Sequence, residues 1–492
     1  MNTRQPLASD PAEWALCDLA DAFSRRALSP VEVVESFLRR ISTLDPLLHA
    51  YVEVWSEAAL KQARASERRL MDGVPRGVLE GIPLALKDLL HVQGRRTGAG
   101  SALFADRPCM DHSATVVTRL QEAGAILLGK THLVELAYGG WGTNQGMGTP
   151  RNPWDMAVHR SPGGSSSGSA VAVASGLAAG AIGTDTGGSV RIPSAFCGLT
   201  GLKTTAGRVS RYGVDLLSET LDSLGPMTRT AEDAARLLQA MHGPDLHDPT
   251  TLGIAAQDFL QGLDEGVAGV RFALLHQTLG EGTAPAVRQG VEDACMVLRA
   301  LGCVEAGGAV PQFDLAADQE ASGAIISAEA YARYGEALTR CTTPGDAASR
   351  ARIFRGAHIA QSHYEEALDQ RRSRIADFQQ LFTQLDVLVL PTVPVTAADL
   401  ATLDESDPAP SRMTRFVGYY GLCAIALPCG FSSDGLPVSV QLVAAPFRED
   451  LLLRLGAAFQ RETTHHQVRP LLDASSAHGR SASDVERVAK RT

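Results

Sequence analysis

The chain has 492 residues, 45% hydrophobic and 20% charged, the make-up of a folded globular protein with material for a large core. Its net charge of −10 argues against nucleic acid or an anionic membrane as main partner. Eight cysteines are scattered with no CxxC pair and none beside histidine at zinc spacing, which argues against a structural metal and suits reduced, buried thiols.

Residues 1–10 read as disordered, and the N-terminus carries neither an apolar signal region nor a run long enough to span a membrane, so a cytoplasmic protein is expected. A helical region follows over 11–72. In it Ser29-Pro30-Val31-Glu32 is a helix start, with a serine cap, proline at the first position and glutamate three after the cap. Val34, Phe37, Leu38 and Ile41 then share one face. Residues 57–71 form a second, polar helix. The run GIPLALKD (81–88) reads as a buried strand ending in Lys87, which is either an exposed lysine at a strand end or a functional one. Helix 115–124 and strand 125–129 come next, and the strand–helix–strand rhythm predicts an α/β sheet. Residues 131–155 read as a glycine-rich loop in which Tyr138, Gly139, Gly140 and Trp141 are candidates for lining a pocket.

The most distinctive stretch is 161–203. It holds a Gly/Ser run, Gly163 to Ser169, and a second cluster from Gly183 to Ser189, with a small apolar segment between them that suits a buried helix plus strand. A flexible linker would not enclose such a segment. Glycines let a backbone turn tightly and approach a ligand, and consecutive amides in such a turn can hold an anion. Ser189, directly after Gly187-Gly188, is placed to attack a carbonyl. Beyond it, Thr230 caps a helix carrying Ala234, Leu237, Leu238 and Met241. Residues 244–266 read as a surface connection, 270–275 as a strand and 287–301 as a helix. A strand is expected near Val304. Residues 316–384 are charged and helical, an excursion from the α/β rhythm that is expected over the mouth of the site. Strands are expected at 386–391, 424–427 and 438–443, a polar loop at 396–412, a closing helix at 448–461 and a disordered tail from 474. One domain over 11–473 is the simplest organisation.

A serine nucleophile needs a base. None of the thirteen histidines, His91, His112, His132 and His159 included, sits in a motif-like setting. Ser189 is followed by Val190 and Arg191, not by the glycine that an α/β-hydrolase elbow places two residues on. Lys87 is the alternative. A lysine ordinarily titrates near 10.4, and keeping it neutral at pH 7 costs on the order of 4 kcal/mol, within reach of desolvation at a strand end. The serines of the Gly163–Ser169 run could relay the proton.

Five motifs together, GIPLALKD (81–88), GTPRNPWD (148–155), GGSSSGSAVAVASG (163–176), GTDTGGSVRIPSAFCGLTGLK (183–203) and GLPVSVQL (435–442), make the chain similar to the amidase signature family of serine hydrolases over roughly residues 15–470. The resemblance implies a large mixed β-sheet covered on both faces by helices. It also implies a Ser-cisSer-Lys triad of Ser189 as nucleophile, Ser165 as bridging serine with a cis peptide, and Lys87 as base. The Ser165–Ser189 spacing agrees with the family's. The backbone of Thr186, Gly187, Gly188 and Ser189 would hold the oxyanion, and no metal or organic cofactor is implied. Departures are Ser167, Leu89, Gly418 and Cys423, the last two expected to reshape the pocket floor. Arg191 reads as a brace of the loop or a partner for a substrate carboxylate, and Asp185 as a loop-ordering group. The expected substrate is a small amide, anilide or carbamate. The alternative is the glutaminase component of a tRNA-dependent amidotransferase, its A chain, to which residues 196–213 are close. The expected assembly is a monomer or homodimer, without nucleic acid or membrane.

Overall fold

The computed structural model describes residues 10–306 and 314–472. The segments 1–9 and 474–492, read from sequence as disordered, lie outside the described residues. Asp10 does not follow the reading given to its neighbours. It caps the short turn Pro11–Glu13, accepts from Ser36 Oγ and lies 3.2 Å from Arg40.

The chain runs α1 (Leu16–Ser24), α2 (Pro30–Leu48), β1 (Tyr51–Val54), α3 (Ser56–Asp72), β2 (Pro83–Lys87), α4 (Thr115–Glu122), β3 (Ile126–Thr131), α5 (Ser167–Ala174), β4 (Gly180–Asp185), α6 (Arg191–Phe196), β5 (Thr200–Lys203), β6 (Ser223–Thr228) and α7 (Ala231–Met241). It continues through β7 (Arg271–Leu274), α8 (Pro285–Ala300), β8 (Val304–Glu305), α9 (Leu315–Arg340), α10 (Ala347–Phe354), α11 (Gln361–Gln379), β9 (Val387–Pro391), α12 (Arg415–Tyr419), β10 (Cys423–Phe431), β11 (Pro437–Ala444) and α13 (Glu449–Glu462). Among the described residues the eleven strands form one mixed sheet in the order β1-β3-β2-β4-β6-β5-β10-β11-β9-β7-β8. Strands β3, β2 and β4 pair in parallel, as do β9, β7 and β8, while the middle of the sheet is antiparallel.

Local chemistry explains the boundaries. Helix α2 starts where Ser29 and Glu32 form a reciprocal capping box with Pro30 at the first position. Helix α7 starts on the same device, built from Thr230 and Asp233. Every residue of β2, β3, β4, β6, β9 and β11 is buried. Strands buried on both faces read as continuous apolar runs, and they require helices on each side. Among the described residues, no helix is long and apolar enough to cross a membrane.

One strand runs against the sequence reading, and another lies in a stretch to which that reading gave no element. The region read as wholly helical contains β1, which adds an edge to β3 in antiparallel register. Strand β6 contains Gly225-Pro226, ordinarily a turn signal. Here glycine answers a packing demand: a Cβ on Gly225 would lie 1.9 Å from the Leu202 carbonyl oxygen. The cysteines are free, but not all are buried as expected, since Cys109 is exposed.

Candidate active site

The two glycine-rich segments meet at the ends of β2 and β4. The first enters α5, the second leaves β4 and enters α6, and the N–H of Ser166 donates to the Ser189 carbonyl at 3.3 Å. The peptide between Gly164 and Ser165 is cis. Lys87, the last residue of β2, projects its Nζ to within 2.8 Å of Ser165 Oγ and 2.8 Å of Thr184 Oγ1. Lys87 and Ser165 are fully buried, whereas Ser189 keeps 7% of its surface.

The electrostatics follow from that burial. Desolvation pulls the Lys87 amine from its ordinary 10.5 down to about 7, against the Asp222 and Asp185 carboxylates, which pull it up. Asp222 is itself raised by burial, although the Thr186 hydroxyl and the N–H of Leu217 donate to it. A lysine in this state carries a large neutral fraction at neutral pH. The same 2.8 Å contact then lets the Ser165 hydroxyl donate to Nζ.

The turn after β4 is held from below. The Asp185 carboxylate accepts from the N–H of Gly188 at 2.8 Å and of Val190 at 3.2 Å. Arg191 grips Asp185 through Nε at 3.0 Å and an Nη at 2.9 Å, and reaches Gln441 and the Thr414 carbonyl, each at 3.0 Å. Burial tends to raise the Asp185 carboxyl, but Arg191, Lys203 and the Val190 amide outweigh it and hold it below the usual carboxylate range. Arg191 is therefore a brace, fully buried and away from the cavity, and does not line the pocket as one of the two sequence readings had it. The N–H of Gly188 is likewise engaged by Asp185, while those of Gly187 and Ser189 have no partner among the described residues. Gly188 has φ +125°, and a Cβ there would sit 2.3 Å from Thr414 Oγ1.

A cavity of about 630 Å³ opens onto Ser189, Thr186 and Gly187. Tyr138, Gly139 and Gly140 line it, as expected, and the Tyr138 hydroxyl pairs with Ser327 Oγ at 2.8 Å. Trp141 does not line it. Its ring stacks on Phe196 and its Nε1–H donates to the Asp407 carbonyl at 2.9 Å, so it belongs to a small satellite core. Gly418 and Cys423 are also absent from the lining. Gly418 lets α12 come close, since a Cβ there would lie 2.8 Å from the Thr186 carbonyl oxygen, and Cys423 is buried at the start of β10.

The rest of the lining comes from the 316–384 excursion, through α9 and the Arg352, Arg355 and His358 region, and from Ser406 to Pro408, Pro410, Ser411 and Arg415. Sequence reading singled out none of Thr184, Asp222, Thr414, Arg352, Arg355 or Arg415. Their roles depend on long-range contacts, and no local motif marks them. Among the described residues, His358 is the one histidine lining the cavity, and no hydrogen bond joins it to Ser189.

The family model described as Amidase matches residues 32–453. The A chain of the glutamyl-tRNA(Gln) amidotransferase of Thermosynechococcus vestitus is 37% identical over 477 residues, which cover 91% of this chain and 98% of that one. Among solved structures, a chain from a vestigial protein complex bearing on the evolutionary origins of an s-triazine catabolic enzyme superposes with a TM-score of 0.86 at 31% identity. It covers 94% of this chain and 100% of its own. The native peptide amidase of Stenotrophomonas maltophilia superposes with a TM-score of 0.78 at 31% identity, covering 94% and 99%.

Proposed function

Because the chain belongs to the amidase family, the amidase signature hydrolases, we propose that it cleaves the C–N bond of a small carboxamide through an acyl-enzyme on Ser189. The observation that carries this reading is the fully buried Lys87 amine, with a pKa near 7, in contact with Ser165 beside the Ser189 turn. Ser189 Oγ forms a bond to the amide carbon as its proton passes to Ser165 and the Ser165 proton passes to Lys87 Nζ. The carbonyl oxygen becomes an oxyanion facing the N–H groups of Gly187 and Ser189, with Thr186 beside them. Gly188 serves indirectly, since its N–H is committed to Asp185. Collapse of the tetrahedral adduct breaks the C–N bond, and the proton returns from Lys87 through Ser165 to the leaving nitrogen. Water then attacks the ester by the same relay, releasing acid and Ser189. These steps call on no cofactor. Ser189→Ala should abolish amide hydrolysis and labelling by a fluorophosphonate while preserving the circular-dichroism spectrum. Retained turnover would remove Ser189 from the reaction.

A second reading has its own support: the relative at 37% identity is the A chain of a glutamyl-tRNA(Gln) amidotransferase. On that reading the released nitrogen is glutamine ammonia passed to a partner protein, in place of the monomer or homodimer expected from sequence. Hydrolysis by the purified chain alone separates the two. Turnover of simple amides without a partner favours the free hydrolase, and glutaminase activity that appears only on addition of a partner favours the amidotransferase component.

A further inference from the structure

The chain is acidic overall, yet the cavity beside Ser189 gathers three guanidinium groups, Arg352, Arg355 and Arg415. Among the described residues, none of the three forms an ion pair with a carboxylate. Arg352 donates to two neutral carbonyls, of Tyr138 at 3.0 Å and of Glu405. Arg415 donates to the Gln319 carbonyl at 3.2 Å, and its buried Nε has no partner. Arg355 is exposed at the mouth. The acids on the lining are Glu320 and Asp407, both exposed, and one oxygen of Asp407 is already taken by the Ala409 N–H.

The fold makes room for this charge. Gly323 of α9 faces Arg415, where a Cβ would lie 2.9 Å from an Nη, and the Arg415 stem crosses Gly187, whose Cβ would lie 3.1 Å from Arg415 Cγ. The Arg415 side chain thus lies against the turn that carries Ser189, and Arg352 and Arg355 line the same cavity. Like charges crowded in a partly desolvated space repel. Burial and the repulsion of Arg352 and Arg355 both depress the Arg415 guanidinium. An anion entering the cavity relieves that repulsion and supplies acceptors for the unpartnered donors.

We propose that the substrate is a carboxamide that also carries a carboxylate, bound toward Arg415 and Arg355, with no ammonium group beside that carboxylate. An ammonium there would sit among three guanidiniums, with only the two exposed acids to answer it. This rests on the amide-hydrolase reading of Ser189 and names its substrate class.

The test reads binding apart from turnover. Glutaramate, pentanamide and L-glutamine are titrated calorimetrically into the Ser189→Ala protein. Glutaramate should bind at least about 10-fold more tightly than either of the others, the range expected of a charge-assisted contact. Arg355→Gln in the Ser189→Ala background should remove most of that preference without weakening pentanamide, and Arg415→Gln in the same background should remove most of it too. Arg355 is exposed, so its replacement leaves the fold intact. Pentanamide or L-glutamine binding as well as glutaramate, or a preference untouched by both replacements, overturns the proposal. The catalytic reading is tested separately, by burst hydrolysis of neutral p-nitrophenyl acetate in the wild-type protein. Loss of the glutaramate preference with an intact Ser189-dependent burst defeats the substrate assignment alone, and absence of the burst defeats the catalytic reading alone.

Discussion

Asp222→Asn gives the sharpest test of Lys87 as the base. The Asp222 carboxylate raises the Lys87 pKa while burial lowers it, and the balance settles near 7. The displacement from 10.5 corresponds to about 5 kcal/mol favouring the neutral amine. At pH 7 about half of the molecules then hold a free base, and at pH 5 about 1% do. An unperturbed lysine would offer about 0.03% at pH 7, a penalty of about 10³-fold in available base. The kcat/KM profile should therefore rise about tenfold per pH unit below 7 and flatten above it. Neutralising Asp222 removes a charge that stabilises the ammonium, so the amine loses its proton more readily and the acid limb moves to lower pH. Each unit of that displacement would correspond to ~1.4 kcal/mol of Asp222 stabilisation of the ammonium. The assay is the pH dependence of kcat/KM for wild type and Asp222→Asn on one neutral ester, read by the midpoint of the limb. The amplitude is set aside, since Asp222 also holds the Thr186 hydroxyl. A limb that stays in place or moves to higher pH would refute Lys87 as the titrating base.

Lys87→Ala should lose about 10²–10⁴-fold in rate at neutral pH together with the acid limb, and a mutant profile that keeps the wild-type limb would count against the assignment. Arg191→Met removes the ion-pair partner of the fully buried Asp185 carboxylate, and a loss of about 3–5 kcal/mol is expected from the urea midpoint; a loss below about 1 kcal/mol would show that the turn is held by other contacts. Gly188→Ala forces a Cβ against Thr414 Oγ1 at a backbone conformation that glycine favours, so kcat should fall about 10²-fold with the fold retained, and an unchanged kcat would mean that the turn yields freely. Trp141→Phe removes a hydrogen bond to the Asp407 carbonyl and should cost about 1 kcal/mol of stability with KM unchanged; a raised KM would return Trp141 to the pocket.

Sequence alone determined what is written in short range. Continuous apolar runs marked β2, β4 and β9, a capping box marked α2, Thr230 marked the start of α7, and the motif set proposed Lys87, Ser165 and Ser189 as one group. Those motifs are local because a nucleophile on a tight turn needs glycines beside it in the chain. Tertiary structure decided the rest. Strand β6 pairs with β4 and β5 and passes so close to Leu202 that only a glycine fits at 225, a demand no local pattern states. Burial brings the Lys87 amine down to near 7, and Asp222, 135 positions further along the chain, tunes it. The fold sends Trp141 into a satellite core, turns Arg191 inward onto Asp185, and brings Arg352, Arg355 and Arg415 into the cavity beside Ser189. Desolvation and unpaired charge belong to the packed interior, and a sequence states them only once it is folded.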